Sequence, residues 1–164
     1  MIEKSFRQKR PMRFLPLAID VKDKPVVVIG GGKVAFQKLK TIILFGAHVT
    51  VISKRIIPEI KALSVHFLES SYDKKFLKQA SLVYACTSDK RINRAISHDA
   101  KKLGILCNTA DDIDACSFIS PAVMVEEDLV VSINSQGRAP ARAKLARDFI
   151  KEKIHEFVQG ARSS

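Results

Sequence analysis

Small residues spaced along one short stretch give the sequence its strongest chemical signal. A β-branched apolar run, Val26–Ile29, ends in three consecutive glycines and leads directly into an amphipathic helical pattern. Read as G-x-G-x-x-A, the stretch places Gly30, Gly32 and Ala35 at the small-residue positions of a dinucleotide-binding turn. Gly30 permits a sharp turn, Gly32 lets backbone approach a pyrophosphate, and Ala35 lets the helix pack close to the strand. The pattern predicts an anion-binding helix N-terminus, and the alternative is a glycine-rich turn without a ligand.

The carboxyl ends of the next two predicted strands carry polar residues that could contact the same ligand. The segment Ser53–Arg55 follows the second strand, at the point where an acid usually holds an NAD ribose. Because this segment has no acid, its residues alone favour a 2′-phosphate, and the choice between NAD and NADP stays open. Thr87 and Ser88 follow the third strand and could donate to ribose or phosphate, although Ser88 can equally cap the next helix.

An acidic loop, Asn108–Asp114, follows the next predicted strand. A carboxylate at this edge of a sheet can face a bound nicotinamide and accept a proton as a hydride leaves. The three acids also resemble a metal site, but no His or Cys stands nearby at a ligand spacing, so no metal site is predicted. Turn formation is the favoured interpretation for Asp112 and Asp114, and for Asp111 the two interpretations are balanced.

Two arginines stand near the start of the last predicted helix. Pro140 fits a first-turn position, and Arg138 and Arg142 are four residues apart, so one helix face would carry both. Cations at a helix N-terminus oppose the macrodipole, which suggests that an anion such as a carboxylate binds there. Two solvated arginines are an equally weighted alternative.

Strands alternate with helical patterns up to about Asp114, which predicts an α/β fold with a Rossmann-like, doubly wound parallel sheet. Short strand patterns and a long helix, from about Arg138 to Val158, follow. We divide the chain into a basic tail (1–13), a dinucleotide-binding domain (14–113) and a final segment (114–164). The final segment is too small to bury its own faces, so we expect it to pack on the first domain or on a second chain.

Three local predictions complete this outline. Phe14–Ile19 and Phe118–Ile119 are expected to form short strands. The helix after Ser88 is expected to bury one apolar face, formed by Ile92, Ala95, Ile96 and Leu103.

Composition narrows the class of protein. The 164 residues carry a net charge of +11, and a strongly basic chain usually meets an anionic partner. The chain has no Trp and two Tyr, and its Phe residues lie mostly in apolar runs rather than among basic residues, so we expect a small polyanion and a dinucleotide, and no nucleic acid. The three cysteines form no C-x-x-C, which argues against a disulfide framework and against structural zinc. No apolar run could span a bilayer, and the basic stretch Met1–Arg13 lacks the apolar h-region of a signal peptide, so a cytoplasmic protein without a membrane partner is predicted.

Five segments of the sequence, taken in order, resemble the precorrin-2 dehydrogenase family. They are Leu15–Asp20, Val28–Ala35, Cys107–Asp111, Ser117–Ala122 and Ser135–Pro140. The same module also forms the amino-terminal part of siroheme synthase. The resemblance covers residues 14–158. It implies a stand-alone, NAD-dependent enzyme that oxidises precorrin-2 to sirohydrochlorin in siroheme synthesis. It also implies a homodimer in which the small α+β segment with the long C-terminal helix serves dimerisation.

The same resemblance assigns site residues. Asp111 falls on the family's essential aspartate, the general base. The residues implied to contact NAD are Gly30, Gly32, Lys33, Val34, Ala35, Ser53, Lys54, Arg55, Thr87 and Ser88. Precorrin-2 carries many carboxylates, and the residues expected to bind it are Asn108, Ser135, Gly137, Arg138 and Arg142. Gln136 departs from the family, which usually has glycine at this position.

Two other functions stay open. A bifunctional enzyme would also insert ferrous iron into sirohydrochlorin. A non-catalytic NAD-sensing module would bind the dinucleotide without needing Asp111. The sequence ends at Ser164, whereas longer members of the family continue into a further helical region, so the resemblance leaves iron insertion undecided.

Overall fold

A computed structural model describes residues 12–162, so most of the predicted basic tail lies outside the described residues. A parallel sheet of five strands forms the centre of the molecule, in the order β3-β2-β1-β4-β5. The strands are β1 (Pro25–Ile29), β2 (His48–Ser53), β3 (His66–Glu69), β4 (Leu82–Ala85) and β5 (Leu106–Thr109). The order reverses between β1 and β4, and ligands of open α/β sheets bind beside such a point, outside the carboxyl ends of the strands.

Helices cover both faces of this sheet. The helices are α1 (Lys33–Ile42), α2 (Pro58–Lys61) and α3 (Lys90–Lys102), with 3-10 turns at Ile43–Phe45 and Lys74–Leu77. Val26 and Val28 pack with α1 and α2, whereas Val27 and Ile29 pack with Ile96 of α3. Because both faces are buried, β1 is an unbroken apolar run rather than an alternating one. The predicted doubly wound, Rossmann-like sheet is confirmed.

A second, smaller unit follows the sheet. It consists of an antiparallel hairpin, β6 (Ala122–Glu126) and β7 (Leu129–Ile133), with the long helix α4 (Pro140–Arg162) packed against it. Pro140 occupies the first helical position, as predicted, so the helix begins two residues after Arg138. Arg138 therefore lies in the preceding loop, and the prediction that one helix face carries both arginines is wrong. Within residues 12–162, no helix combines the length and the apolarity needed to cross a bilayer.

Two predicted strands are absent from the described residues. Phe14–Ile19 is not paired with the sheet, and Phe14 instead bonds through both backbone groups to the Gln136 side chain. Phe118–Ile119 is irregular, and Phe118 packs edge-to-face on Tyr84, with ring centroids 5.3 Å apart.

Candidate functional site

The glycine turn between β1 and α1 contains close backbone approaches. The Gly30 N–H donates to a β2 carbonyl over 2.8 Å, and Gly30 has a φ of 125°, which favours glycine. A Cβ on Gly30 would overlap the Cys86 carbonyl, and a Cβ on Gly31 would overlap the Arg55 carbonyl. A Cβ on Gly32 would have no atom within 4 Å, so open space adjoins the backbone there. The turn thus excludes side chains at two positions for steric reasons and leaves the third accessible.

The N-terminus of α1 suits a phosphate. Gly32 is the N-cap residue, so no side chain caps the helix, and the first turn contains no acid. Lys33 and Val34 are exposed, whereas Ala35 is fully buried against the sheet. The first N–H groups of a helix lack intrahelical partners and attract anions. With open space at Gly32, this turn fits the pyrophosphate of a dinucleotide.

Cationic side chains follow β2 beside the glycine turn. β2 pairs in parallel with β1, with Ile52 opposite Ile29, so both strands end at the same edge. Ser53 is half-buried, and its hydroxyl oxygen lies 3.5 Å from the backbone nitrogen of Arg55. The side chains of Lys54 and Arg55 are exposed. A serine hydroxyl beside two cations suits a phosphate or a ribose hydroxyl rather than a cationic ligand.

The side chain of Asn93 joins the end of β4 to the loop after β5. Its amide oxygen accepts from the Thr87 N–H over 3.0 Å and lies 2.7 Å from the Thr87 hydroxyl. Its amide nitrogen donates to the Thr87 carbonyl over 3.0 Å and to Asp111 Oδ1 over 2.9 Å. Asn93 is 0% exposed, whereas Asp111 is exposed. One buried side chain therefore connects two of the predicted site residues.

The Thr87 hydroxyl is engaged within the protein. It accepts from the Asp89 N–H over 3.2 Å and lies 3.0 Å from the Asp89 carbonyl, in addition to its contact with Asn93. Asp89 caps α3, since its carboxylate accepts from the Arg91 N–H over 2.8 Å. Ser88 is exposed, so its hydroxyl is the one at this strand end that faces solvent.

The other acids of the loop have cationic partners. Asp112 accepts from Arg94 Nε over 3.0 Å, and Asp114 accepts from Arg13 over 2.6 Å. The Arg94 guanidinium is the main reason that the pKa of Asp112 lies below its ordinary value. Among residues 12–162, Asp111 has only the neutral amide of Asn93 as a hydrogen-bond partner. Asp111 is thus the carboxylate of this loop that no cation neutralises.

Asn108 lies beneath the loop rather than on its surface. It is 3% exposed, and its amide nitrogen donates to the Phe118 carbonyl over 3.0 Å. Cys116 accepts from the Thr109 N–H over 3.2 Å in the same layer. In this structure Asn108 supports the loop that carries Asp111, and it has no open surface where the predicted substrate contact could form.

The loop before α4 lies against the acidic loop. Gly137 has a φ of 73°, and a Cβ there would overlap Cδ1 of Ile113. Gln136 has a φ of 56°, and its amide accepts from the Phe14 N–H over 2.8 Å and donates to the Phe14 carbonyl over 2.9 Å. The Ser135 hydroxyl accepts from the Ala139 N–H over 3.0 Å. Contacts from Ile113 and Phe14 therefore hold this loop from two sides.

An open cavity of about 400 Å³ lies over the start of α4. Its lining includes three of the predicted substrate-binding residues, Ser135, Arg138 and Arg142. Although Arg138 precedes the helix, the loop still brings its side chain to the same cavity as Arg142. Neither Asp111 nor the glycine turn lines the cavity. The structure therefore holds two groups of predicted residues, one at the sheet edge and one at α4, with the contact between Ile113 and Gly137 joining their loops.

Sequence reasoning missed three residues that shape this site. Asn93 stands in mid-helix without a motif, yet its spacing from Ile96 and Ala100 places it on the buried face of α3. Gly31 occupies an unrestricted position of the G-x-G pattern, and its close approach to Arg55 comes from the tertiary fold. Gln136 was noted only as a departure from glycine, and its pairing with Phe14 spans 122 residues.

Comparison with known proteins agrees with this geometry. A family model described as "Putative NAD(P)-binding" matches residues 17–122. Siroheme synthase 1 of Cronobacter sakazakii is 38% identical over 144 residues, which are 85% of this chain and 31% of the relative. Siroheme synthase 1 of Serratia proteamaculans is 34% identical over 141 residues, 84% of this chain and 30% of the relative. The chain thus spans about a third of the length of these curated relatives.

A solved structure shares the fold. The structure titled "SirC, precorrin-2 dehydrogenase" superposes with a TM-score of 0.69 at 21% identity, covering 85% of this chain and 71% of that one. The family match covers the glycine turn, the β2 end, Thr87, Ser88 and Asp111. Because that match extends over more than half of the sequence, the chain belongs to this NAD(P)-binding family.

Proposed function

We propose that the protein is an NAD-dependent dehydrogenase that oxidises precorrin-2 to sirohydrochlorin in siroheme biosynthesis. The observation that carries the proposal is the placement of Asp111, a carboxylate that has no cationic partner in the described part of the chain, beside the β4 end of a sheet whose β1–α1 turn fits a pyrophosphate. The relatives named siroheme synthase and the fold shared with a precorrin-2 dehydrogenase support the same substrate. NAD is preferred to NADP because of this resemblance, against the cationic β2 end.

The dinucleotide would be held at the sheet edge. Gly30, Gly32 and the first turn of α1 bind its pyrophosphate, while Ser53 and Ser88 offer hydroxyls to its riboses. Bound NAD supplies a hydride acceptor. Asp111 accepts the proton that the tetrapyrrole loses in the same oxidation, so that one hydride and one proton leave together.

The substrate's carboxylates would be bound at the start of α4. Arg138 and Arg142 line one cavity with Ser135, and guanidinium groups form strong paired hydrogen bonds with carboxylates. The net charge of +11 favours encounter with a polyanion. Ile113, packed on Gly137, fixes the distance between this cavity and the loop of Asp111.

We also propose that the protein forms a homodimer through α4 and the hairpin. Phe149 of α4 is 75% exposed and Leu145 is 71% exposed, and four residues of spacing place them on one helix face. Val125 and Val130, directly paired across β6 and β7, are exposed as well. An apolar surface of this kind is typical of an interface between subunits.

Anaerobic turnover of precorrin-2 tests the proposal. The purified protein should produce the sirohydrochlorin absorbance spectrum with NAD, together with an equal amount of NADH. Asp111→Ala should retain the fold and NAD affinity but lose at least about 100-fold in kcat. Asp114→Ala is the matched control, because Asp114 lies in the same loop and pairs with Arg13.

The outcomes separate the candidate functions. Turnover with NADP alone would reverse the cofactor assignment. NAD binding without turnover of precorrin-2 would reject the dehydrogenase and favour a sensing module. Full activity of Asp111→Ala would reject Asp111 as the base.

A further inference from the structure

We propose that Asn93 is a positioning residue that holds the Asp111 carboxylate in one orientation and ties it to the strand end that carries the cofactor site. The proposal deepens the proposed function and rests on it, because Asp111 is the base only in that reaction. Asn93 reaches both groups from α3, with three polar contacts to Thr87 and one to Asp111.

The orientation of the Asn93 amide follows from its partners. A backbone N–H can only donate and a backbone carbonyl can only accept, and Asn93 faces both groups of Thr87. The amide oxygen must therefore face the Thr87 N–H and the amide nitrogen its carbonyl. That choice leaves the second hydrogen of the amide nitrogen for Asp111 Oδ1, 2.9 Å away. A hydrogen-bond donor, never an acceptor, is thus fixed against the carboxylate.

The Asn93 amide holds one of the two carboxylate oxygens of Asp111. Asp111 is exposed, and among residues 12–162 its Oδ2 has no hydrogen bond. Fixing Oδ1 from a completely buried side chain restricts rotation of the carboxyl and leaves Oδ2 to receive a proton. Without Asn93, the exposed carboxylate would sample many orientations in water.

The charged groups nearby explain why a neutral donor suits this position. Arg94, the next residue of α3, bonds to Asp112 rather than to Asp111. Cys86 directly follows β4, near Asp111, and burial raises the pKa of its thiol to about 11, so it is uncharged near neutral pH. A cation bonded to Asp111 would weaken it as a base. An amide orients the carboxylate with a smaller loss of basicity.

Two variants of Asn93 test the role. Asn93→Asp keeps the shape and an acceptor for the Thr87 N–H but places a second carboxyl against Asp111. Two adjacent carboxyls retain a shared proton to higher pH. We expect the acidic limb of the kcat profile to move up by about one pH unit or more. Asp112→Asn, which removes a neighbouring acid from the same loop, is the control and should leave this limb in place.

Asn93→Ala gives a readout that needs neither cofactor nor substrate. Carbon-13 NMR of the apoprotein follows the Asp111 carboxyl directly, and loss of the hydrogen bond from Asn93 should shift its resonance. Turnover of Asn93→Ala should fall about 10-fold or more in kcat. In the Asp111→Ala background the same substitution should change kcat little, because it acts through Asp111. Circular dichroism and NAD affinity identify variants that have lost the fold.

The results separate this proposal from the proposed function. If Asp111→Ala abolishes turnover but both Asn93 variants keep the turnover and the Asp111 carboxyl resonance of the unaltered protein, the positioning role is wrong and the base assignment stands. If the unaltered protein shows no turnover, the proposed function fails, and the carboxyl resonance still reports whether Asn93 restrains Asp111. The positioning role would also be wrong if Asn93→Ala lowered kcat by the same factor in the unaltered protein and in the Asp111→Ala background. If Asn93→Ala does not fold, the pH profile of Asn93→Asp decides the question.

Discussion

Gly137 offers the sharpest test of how the two loops of the site are joined. Its φ of 73° is left-handed, and a Cβ would overlap Ile113 Cδ1. A left-handed conformation costs an L-residue about 1–2 kcal/mol, and forcing the exposed Ile113 side chain out of its rotamer costs about 0.5–1.5 kcal/mol more. Gly137→Ala should therefore lower the free energy of unfolding by about 1.5–3.5 kcal/mol, the sum of these two effects.

Gly104 supplies a matched control for this substitution. Its φ is 71°, and a Cβ there would meet no atom within 4 Å. Gly104→Ala should therefore show only the backbone cost, about 1–2 kcal/mol. The difference between the two variants isolates the contact with Ile113. Adding Ile113→Ala to Gly137→Ala should recover most of that difference, since Ile113 is partly exposed and its own truncation costs little.

Equilibrium unfolding in urea measures all three variants, with midpoint and slope fitted together. Equal losses for Gly137→Ala and Gly104→Ala would show that the loops do not press on each other at this contact. Failure of Ile113→Ala to recover stability would refute the argument in the same way. If Gly137→Ala loses more stability than Gly104→Ala, it should also bind the substrate more weakly, because the shifted loop carries Ser135 and Arg138.

Two further predictions concern the dimer and the response to acid. Phe149→Lys should give a monomer by light scattering. Leu44→Lys, at an exposed leucine just after α1, is the control and should leave the dimer intact. A dimeric Phe149→Lys would exclude this face of α4 as the interface. Arg94 lowers the pKa of Asp112 in the folded protein, so this ion pair stabilises the fold at pH values above 3.8, the ordinary pKa of the carboxyl. The stabilisation is lost as the pH falls through the lowered pKa of the folded protein. Asp112→Asn should therefore flatten the fall in urea midpoint below about pH 4, and an unchanged fall would contradict the pairing.

The sequence predicts those parts of the fold that depend on local pattern. The glycine turn, the apolar parallel strands and the first-turn Pro140 each follow from backbone chemistry within a few residues. The apolar face of α3 was predicted correctly only at Ile96: Ile92, Ala95 and Leu103 are exposed, and the buried face is formed by Asn93, Ile96 and Ala100. The polar Asn93 interrupts the apolar periodicity of that face, so the sequence pattern did not indicate that this residue, which bonds to Asp111, is buried.

Contacts between distant segments could not be predicted in this way. Arg13 and Asp114 are 101 residues apart, and no local signal relates them. Gln136 illustrates the same limit, because its left-handed φ would favour glycine and its compensating bonds are made with Phe14. Such pairs are evident only once the fold has brought their loops together.

The pairing of Phe14 with Gln136 also orders events during synthesis. All five strands of the sheet are complete once Thr109 has been made, and domains generally fold from the N-terminus as the chain emerges. At that stage Phe14 has no partner, and the neighbouring Leu15 and Leu17 are exposed even in the finished protein. The nascent chain must therefore carry an unattached apolar segment while the following 27 residues, from 110 to 136, are added. The two hydrogen bonds of Phe14 can therefore form only after the loop of Gln136 has been made, and any chain that ends before this loop lacks them.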